Sequence, residues 1–167
     1  MIVYVGIFSV ILFVIVQLFW QMQISSIKGN ASAEVKENIS QFIEIFKYNI
    51  RNSDSIDETS SVFNGSPGKL FIEDDETIIF DTYSKDIIIN DRVNTITKLR
   101  YKKGADPYID LTSDRVDVEN FVLRNLTQQG SNIIGLELTL SYLNPENDYL
   151  YNNSLTINTS AVVRKET

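Results

Sequence analysis

The chain has 167 residues, 43% of them hydrophobic, with a formal net charge of -7 and a pI near 4.6. That is room for one ordinary core with an appendage, and the surplus of carboxylates argues against a nucleic-acid surface, which requires clustered Lys and Arg. Without a single cysteine or histidine, it excludes disulfides, thiolate or imidazole metal ligands and every Ser-His or Cys-His mechanism.

From Met1 to Trp20 seventeen of twenty residues are apolar, the exceptions being Gly6, Ser9 and Gln17, and no charge precedes Lys28. Such a run, rising ~1.5 Å per residue, covers roughly 30 Å, the hydrocarbon thickness of a bilayer, where a single segment must be helical to satisfy its own backbone. Residues 1–22 are therefore expected to form a transmembrane helix. The Val and Ile content favours strand in water, but strands rarely run so long. A secretory signal peptide cleaved at Ala31-Ser32-Ala33 is the rival reading. It calls for a basic n-region and an apolar stretch of about 7 to 15 residues, and this segment has neither. A buried helix of a soluble protein is a weaker rival, since so small a domain hardly encloses the run on every side.

After Trp20 the pattern turns amphipathic, and residues 23–53 are expected to continue the same helix. Val35, Ile39, Phe42, Ile43, Phe46 and Ile50 recur at spacings of three and four, while Glu34, Lys36, Glu37, Glu44, Lys47 and Arg51 fall mostly outside the stripe. This face is expected to dock on the chain's own sheet in preference to a partner helix, through Val35, Ile39, Phe42, Phe46 and Ile50. Asn52-Ser53-Asp54-Ser55 ends the pattern, so the helix spans about 75 Å and half of it must project.

Residues 54–167 read as one antiparallel β domain. Lys69–Glu73, Glu76–Thr82 and Lys85–Asn90 are short apolar runs divided by Asp74-Asp75 and Tyr83-Ser84, and Asn94–Lys102 adds a strand before Gly104. Gly104 to Asp110, with Pro107, reads as a loop. Val116–Leu126 changes phase near Glu119-Asn120, which predicts a bulge. Ile134, Leu136, Leu138, Leu140 and Tyr142 alternate with polar or small residues, Asn144 to Asp148 turns the chain, and Tyr149–Val163 closes a C-terminal hairpin.

Candidate chemistry is sparse. Asp74, Asp75, Glu76 and Asp81 are weak calcium candidates, because hard cations take clustered oxygens, but their spacing matches no EF-hand. Asp106, Asp110 and Asp114 form a second acidic group that could pair for acid and base work on a sugar. Asn-x-Ser/Thr sequons begin at Asn30, Asn38, Asn64, Asn125, Asn152 and Asn158, and in an Asn- and Ser-rich chain they read as chance. Lys98, Arg100, Lys102 and Lys103 are a local basic cluster, read first as a solvated or edge-protecting face and only second as a DNA contact. No cofactor, metal or catalytic residue is expected.

Met1-Ile2-Val3-Tyr4-Val5-Gly6-Ile7-Phe8-Ser9 resembles the stretch that follows the conserved glutamate of prepilin-type N-termini. Leu111-Thr112-Ser113-Asp114-Arg115-Val116, followed by Phe121, is similar to a segment leading into a central strand of J-like minor pseudopilins. With the order of elements, the chain resembles the type IV pilin and type II secretion pseudopilin superfamily. The resemblance implies an α+β, pilin-like fold, with one long N-terminal helix, its first half membrane-spanning, packed on an antiparallel β domain. It also implies a non-catalytic subunit of a pilus, type II secretion or competence filament. Its partners would be other such subunits, the inner-membrane assembly platform and membrane lipid, with Tyr4, Gly6, Ser9 and Leu12 packing the filament helix. Its place would be the bacterial inner membrane, single pass, the β domain outside the cytoplasm or assembled into a cell-surface or periplasmic filament. The family's basic leader, peptidase-site Gly, methylated Phe and Thr-Leu-Ile-Glu segment do not occur in residues 1–167. The resemblance sets Met1 just after that glutamate, so prepilin peptidase is a partner if an upstream leader exists. The alternative is a membrane-anchored extracytoplasmic binding or accessory domain of a transporter or sensor; an anchored hydrolase is weaker still.

Overall fold

The computed structural model describes residues 2–89, 91–127 and 132–164. Met1 and Asn90, the limits of the expected anchor and of one expected strand, lie outside the described residues, as do residues 165–167.

A single helix, α1 (Ile2–Arg51), runs unbroken for 50 residues. It contains no proline, and Gly29 interrupts neither the backbone ladder nor the packing. The helix ends where side chains begin to compete for its last carbonyls. Ser53 Oγ donates to the Ile50 carbonyl at 2.8 Å and the Asn52 amide to that of Tyr48 at 3.2 Å. Its two halves differ: Val3 to Met22 are exposed, whereas from Ala31 onward Val35, Ile39, Phe42, Phe46 and Ile50 are buried at helical spacing.

Two antiparallel sheets cover that second half. The first comprises β1 (Ser55–Ile56), β2 (Leu70–Glu73), β3 (Ile78–Ile89), β4 (Arg92–Lys103) and β5 (Ile109–Asp110), adjacent in chain order. The second comprises β6 (Val116–Asn125), β7 (Ile133–Tyr142) and β8 (Ser154–Val162), also in order. The architecture is α+β. Between the sheets the usual ladder gives way to side-chain bridges. The Thr97 amide donates to Asp117 Oδ1 at 2.7 Å and the Leu99 amide to Thr112 Oγ1 at 3.2 Å, so part of the free edge of β4 is satisfied without a long neighbouring strand. The outer edge of β6 is met by the loop before β2, whose Asn64 and Gly68 amides donate to the carbonyls of Leu123 and Phe121. Gly68 allows this close approach, since a Cβ would stand 3.1 Å from the Phe121 carbonyl oxygen and 3.3 Å from the Leu123 side chain, tighter than most such contacts.

Several sequence expectations change. Tyr83-Ser84 is no turn: the runs on either side of it fuse into β3, because β4 offers an opposite residue at every position, including Lys98 for Tyr83 and Thr97 for Ser84. The Gly104–Asp110 segment is not wholly a loop, as Ile109 and Asp110 return to pair with Tyr101 and Arg100. The last strand starts at Ser154 rather than Tyr149, because Asn144 and Asp148 bond each other and the Tyr151 amide donates to the Asp148 carbonyl, coiling the intervening chain. The shift of phase in β6 is a register break between Val118 and Asn120, at the predicted bulge.

The core lies where α1 crosses both sheets. Phe42 stacks on Phe46 at 5.5 Å between ring centres and meets Phe80 of β3 and Phe121 of β6 edge-on, at 6.1 and 5.9 Å. Phe46 also meets Phe80, at 5.6 Å. One helix residue thus joins two sheets that share no ladder, and aromatic pairs of this geometry contribute about 0.5–1.5 kcal/mol beyond their buried area.

Candidate functional site

The first half of α1 is the largest apolar surface of the molecule. Every large hydrophobic residue from Val3 to Met22 is between 48% and 79% exposed, well beyond the patch a soluble monomer ordinarily shows to water. The helix is long and apolar enough to cross a membrane. Ser9 fits that setting because its Oγ donates to the Val5 carbonyl at 2.8 Å, so the hydroxyl is satisfied within the helix. Gly6 leaves open space beside the backbone. At 3.6 residues per turn Gly6 and Leu12 stand roughly 120° apart with Ser9 between them, and Tyr4 lies roughly 80° beyond Leu12. The four residues do not make a single face.

The second half is fixed to the sheet domain by polar as well as apolar contacts. Ser113 donates its amide to Asn38 Oδ1 and its hydroxyl to Glu34 Oε1, both at 2.7 Å, while Asn38 Nδ2 donates to the Glu34 carbonyl. Asn38 is buried with its side-chain amide engaged on both sides, so the folded domain has no room for a glycan there. Val35, Ile39, Phe42, Phe46 and Ile50 all lie in the main core cluster.

Within the basic cluster of β4, Lys103 is exposed and Lys102 partly so, as a solvated face requires, but Lys98 and Arg100 are drawn into ion pairs. Lys98 is 3% exposed, with Nζ 3.0 Å from Asp110 Oδ2 and 2.7 Å from Asp114 Oδ1. Lys85 Nζ also reaches Asp114 at 2.8 Å, and the Tyr83 hydroxyl donates to Asp110 at 2.9 Å. Arg100 Nε pairs with Asp81 at 2.6 Å, its guanidinium lying over the rings of Tyr83 and Tyr108. The physical reason is register: β3 sets Asp81 opposite Arg100, while the return of β5 and the loop after it bring Asp110 and Asp114 to Lys98.

Electrostatics follow from this packing. Hydrogen bonds from Lys85 and Lys98 hold Asp114 below the usual carboxylate range. For Asp110 burial pushes upward, but bonds from Lys98 and Tyr83 outweigh it and the net direction is down. Burial likewise opposes charge on Lys98, yet Asp114 and Asp110 carry it above its ordinary value. Burial and the bond to Asp110 both raise the Tyr83 phenol.

These pairings bear on the acidic candidates. Asp110 and Asp114 are brought together around an ammonium group, an arrangement of a structural ion cluster. Asp81 is occupied by Arg100, away from the β2–β3 turn that holds Asp74, Asp75 and Glu76. Among the described residues no group of three or more carboxylates is arranged to hold a metal ion.

No protein-family model, curated protein or solved structure matches the chain. Its function rests on the surfaces themselves.

In the sequence Lys98 belongs to a basic cluster and Asp110 and Asp114 to an acidic one, and nothing local to either indicates that they pair. The Glu34–Asn38–Ser113 clasp, joining residues 75 and 79 positions apart, carried no local signal.

Proposed function

We propose that the chain is a membrane-anchored, non-catalytic assembly subunit of the pseudopilin or minor pilin kind, working in a pilus, type II secretion or competence filament. The observation that carries this reading is one continuous helix serving two environments. Its first half offers apolar side chains on all sides and its second half is locked into a β domain. A helix used only as an anchor has no need to continue rigidly through the core. A rigid rod with a head lets the head's position dictate how neighbouring rods pack, which is what a filament subunit requires.

In this reading the apolar half holds the subunit in lipid until an assembly platform extracts it. It then exchanges lipid contacts for helix contacts, at modest net cost because both are apolar. Gly6 and Ser9 permit close backbone approach, and Leu12 and Tyr4 fill the space around neighbouring helices. The β domain selects partners and lies outside the cytoplasm.

The test is cross-linking in the native membrane. The chain has no cysteine, so single substitutions Gly6→Cys and Leu12→Cys report only contacts between chains. Oxidation is expected to give covalent dimers or adducts with co-expressed filament subunits at Leu12→Cys and not at the surface control Asn158→Cys. A second check reads the codons preceding Met1 for an in-frame basic-Gly-Phe-Thr-Leu-x-Glu segment. Monomers at every position, together with a stop codon there, would favour the anchored accessory domain instead.

A further inference from the structure

The underside of the β domain, the end turned toward the apolar half of α1, carries an uncovered hydrophobic tip. Contacts along the helix fix this direction. Near the end of α1, Glu44 and Tyr48 lie beside Tyr101 and Lys103 of β4. Earlier in the helix, Glu34 and Asn38 hold Ser113, whose neighbour Asp114 binds Lys98 and Lys85. The hairpin of β3 and β4 therefore descends toward the helix N-terminus, and the residues past Lys85 and before Thr97 extend below the Asp114 and Asp117 contacts. There Ile89 shares an open groove with Arg115, Pro145 and Asp148, and Tyr149 of the same loop places its ring 5.0 Å from Lys28 Nζ.

At the tip Ile88 and Val93 stand directly opposite each other and are 76% and 68% exposed. A cross-strand pair of β-branched residues stabilises a sheet chiefly by packing, and no described residue covers this one. Tyr149 is 65% exposed at the same end.

The helix sets the height of the domain's underside, and Ile89 places the tip beside the loop that forms it. Ile24 and Ile27 are half-buried although Val3 to Met22 are exposed, and Tyr149 of that loop meets Lys28, so cover on α1 begins four to eight residues past Trp20, ~6–12 Å along the axis. The headgroup layer on each side of a bilayer is roughly 5–7 Å deep. If Trp20 marks the hydrocarbon boundary, the underside of the domain meets the headgroups.

The geometry points to a second membrane contact beside the anchor, in which Ile88 and Val93 enter the boundary between headgroups and acyl chains. This rests on the membrane anchoring argued above. The Tyr149 ring takes the amphipathic interfacial position that tyrosines favour, and exposed Arg92 lies within reach of lipid phosphates. Asp86, Asp91 and Asp148 on the same underside mean that the contact draws on apolar area rather than on anionic lipid. Its effect is to fix the tilt of the head while the subunit waits in the membrane, a constraint released on extraction.

Fluorescence in phosphatidylcholine proteoliposomes of the full chain tests this. The native Trp20 reports the anchor, and a Trp20→Phe background carrying Ile88→Trp, or separately Val93→Trp, reports the tip. The expected result is a blue-shifted emission at each tip position, quenched by shallow doxyl-labelled lipid about half as strongly as Trp20 or more, as befits interfacial depth. Adding Val93→Asp to the Ile88→Trp chain should return the emission to that of an aqueous tryptophan while the thermal melt stays unchanged. Strong quenching of Trp20 with a water-like tip overturns the tip contact alone. Loss of quenching at Trp20 itself overturns the anchor and this inference together. A blue-shifted tip that is unquenched by lipid but sensitive to dilution with unlabelled chain assigns the pair to a second copy and overturns the proposal.

Discussion

Lys98 shows how a single residue can be read correctly as a cation and wrongly as a surface. Burying an ammonium is costly unless partners satisfy it, and here Asp110 and Asp114 do so from a segment that the sequence presents as an acidic loop. Both carboxyls are held below their ordinary range, so their contribution is present above about pH 4, the unfolded value, and is lost as pH falls through the folded one. Lys98 and Tyr83 are held above theirs, so their contribution is present below about pH 10 and is lost as pH rises further. Stability should therefore be level between those limits and fall on either side. Lys98→Met is expected to cost about 1–2 kcal/mol, less than a fully buried pair because the two carboxylates stay partly hydrated, and to flatten both limbs. Thermal melts of the full chain in detergent across pH measure this, and an unchanged acid limb would refute the ion cluster. The charges were legible in the sequence. Their pairing was not, because it depends on β5 folding back beside Arg100 and Tyr101.

Among the elements, α1 was the most legible and the strands the least. The switch from an all-round apolar run to a stripe at spacings of three and four is a local property, and it located the docking residues without knowledge of what they touch. Phe42→Ala is expected to cost about 3–5 kcal/mol, since a cavity opens where three aromatic rings meet. Phe42→Asp should abolish the cooperative transition in circular dichroism, whereas Ile88→Asp, at an exposed tip, should not. The fusion of two expected strands into β3 was hidden because Tyr83-Ser84 looks like a turn until β4 supplies a partner for each residue. Gly68 was equally silent. A methyl group there presses on the Phe121 carbonyl, which cannot yield without disturbing the β6–β7 ladder. Gly68→Ala is thus expected to destabilise by roughly 1–3 kcal/mol, read as a lower denaturation midpoint with an unchanged slope.

For the whole molecule, the decisive feature is one rod whose first half is apolar and bare and whose second half is locked into a β domain. Val10→Arg, Leu12→Arg and Val14→Arg together place three charges near the middle of the apolar half, each expected to disfavour insertion by roughly 2.5–3.5 kcal/mol, more in sum than the neighbouring apolar residues supply at about 0.3–0.6 kcal/mol each. Much of the chain should then leave the membrane pellet on alkaline carbonate extraction, while the β domain keeps its melt. Retention equal to that of the unsubstituted chain would count against a spanning helix. The apolar run, the stripe that follows it, the lack of histidine and cysteine side chains and the β character of the remainder are all legible along the chain. All of these are carried by composition and by periods of a few residues. Four features emerge only in three dimensions: two sheets meet over Phe42, Lys98 and Arg100 find carboxylates, Asn38 clasps Ser113, and Ile88 and Val93 form an exposed apolar pair at a hairpin tip. The first three depend on residues far apart in the chain, and contacts of that kind leave no period along it.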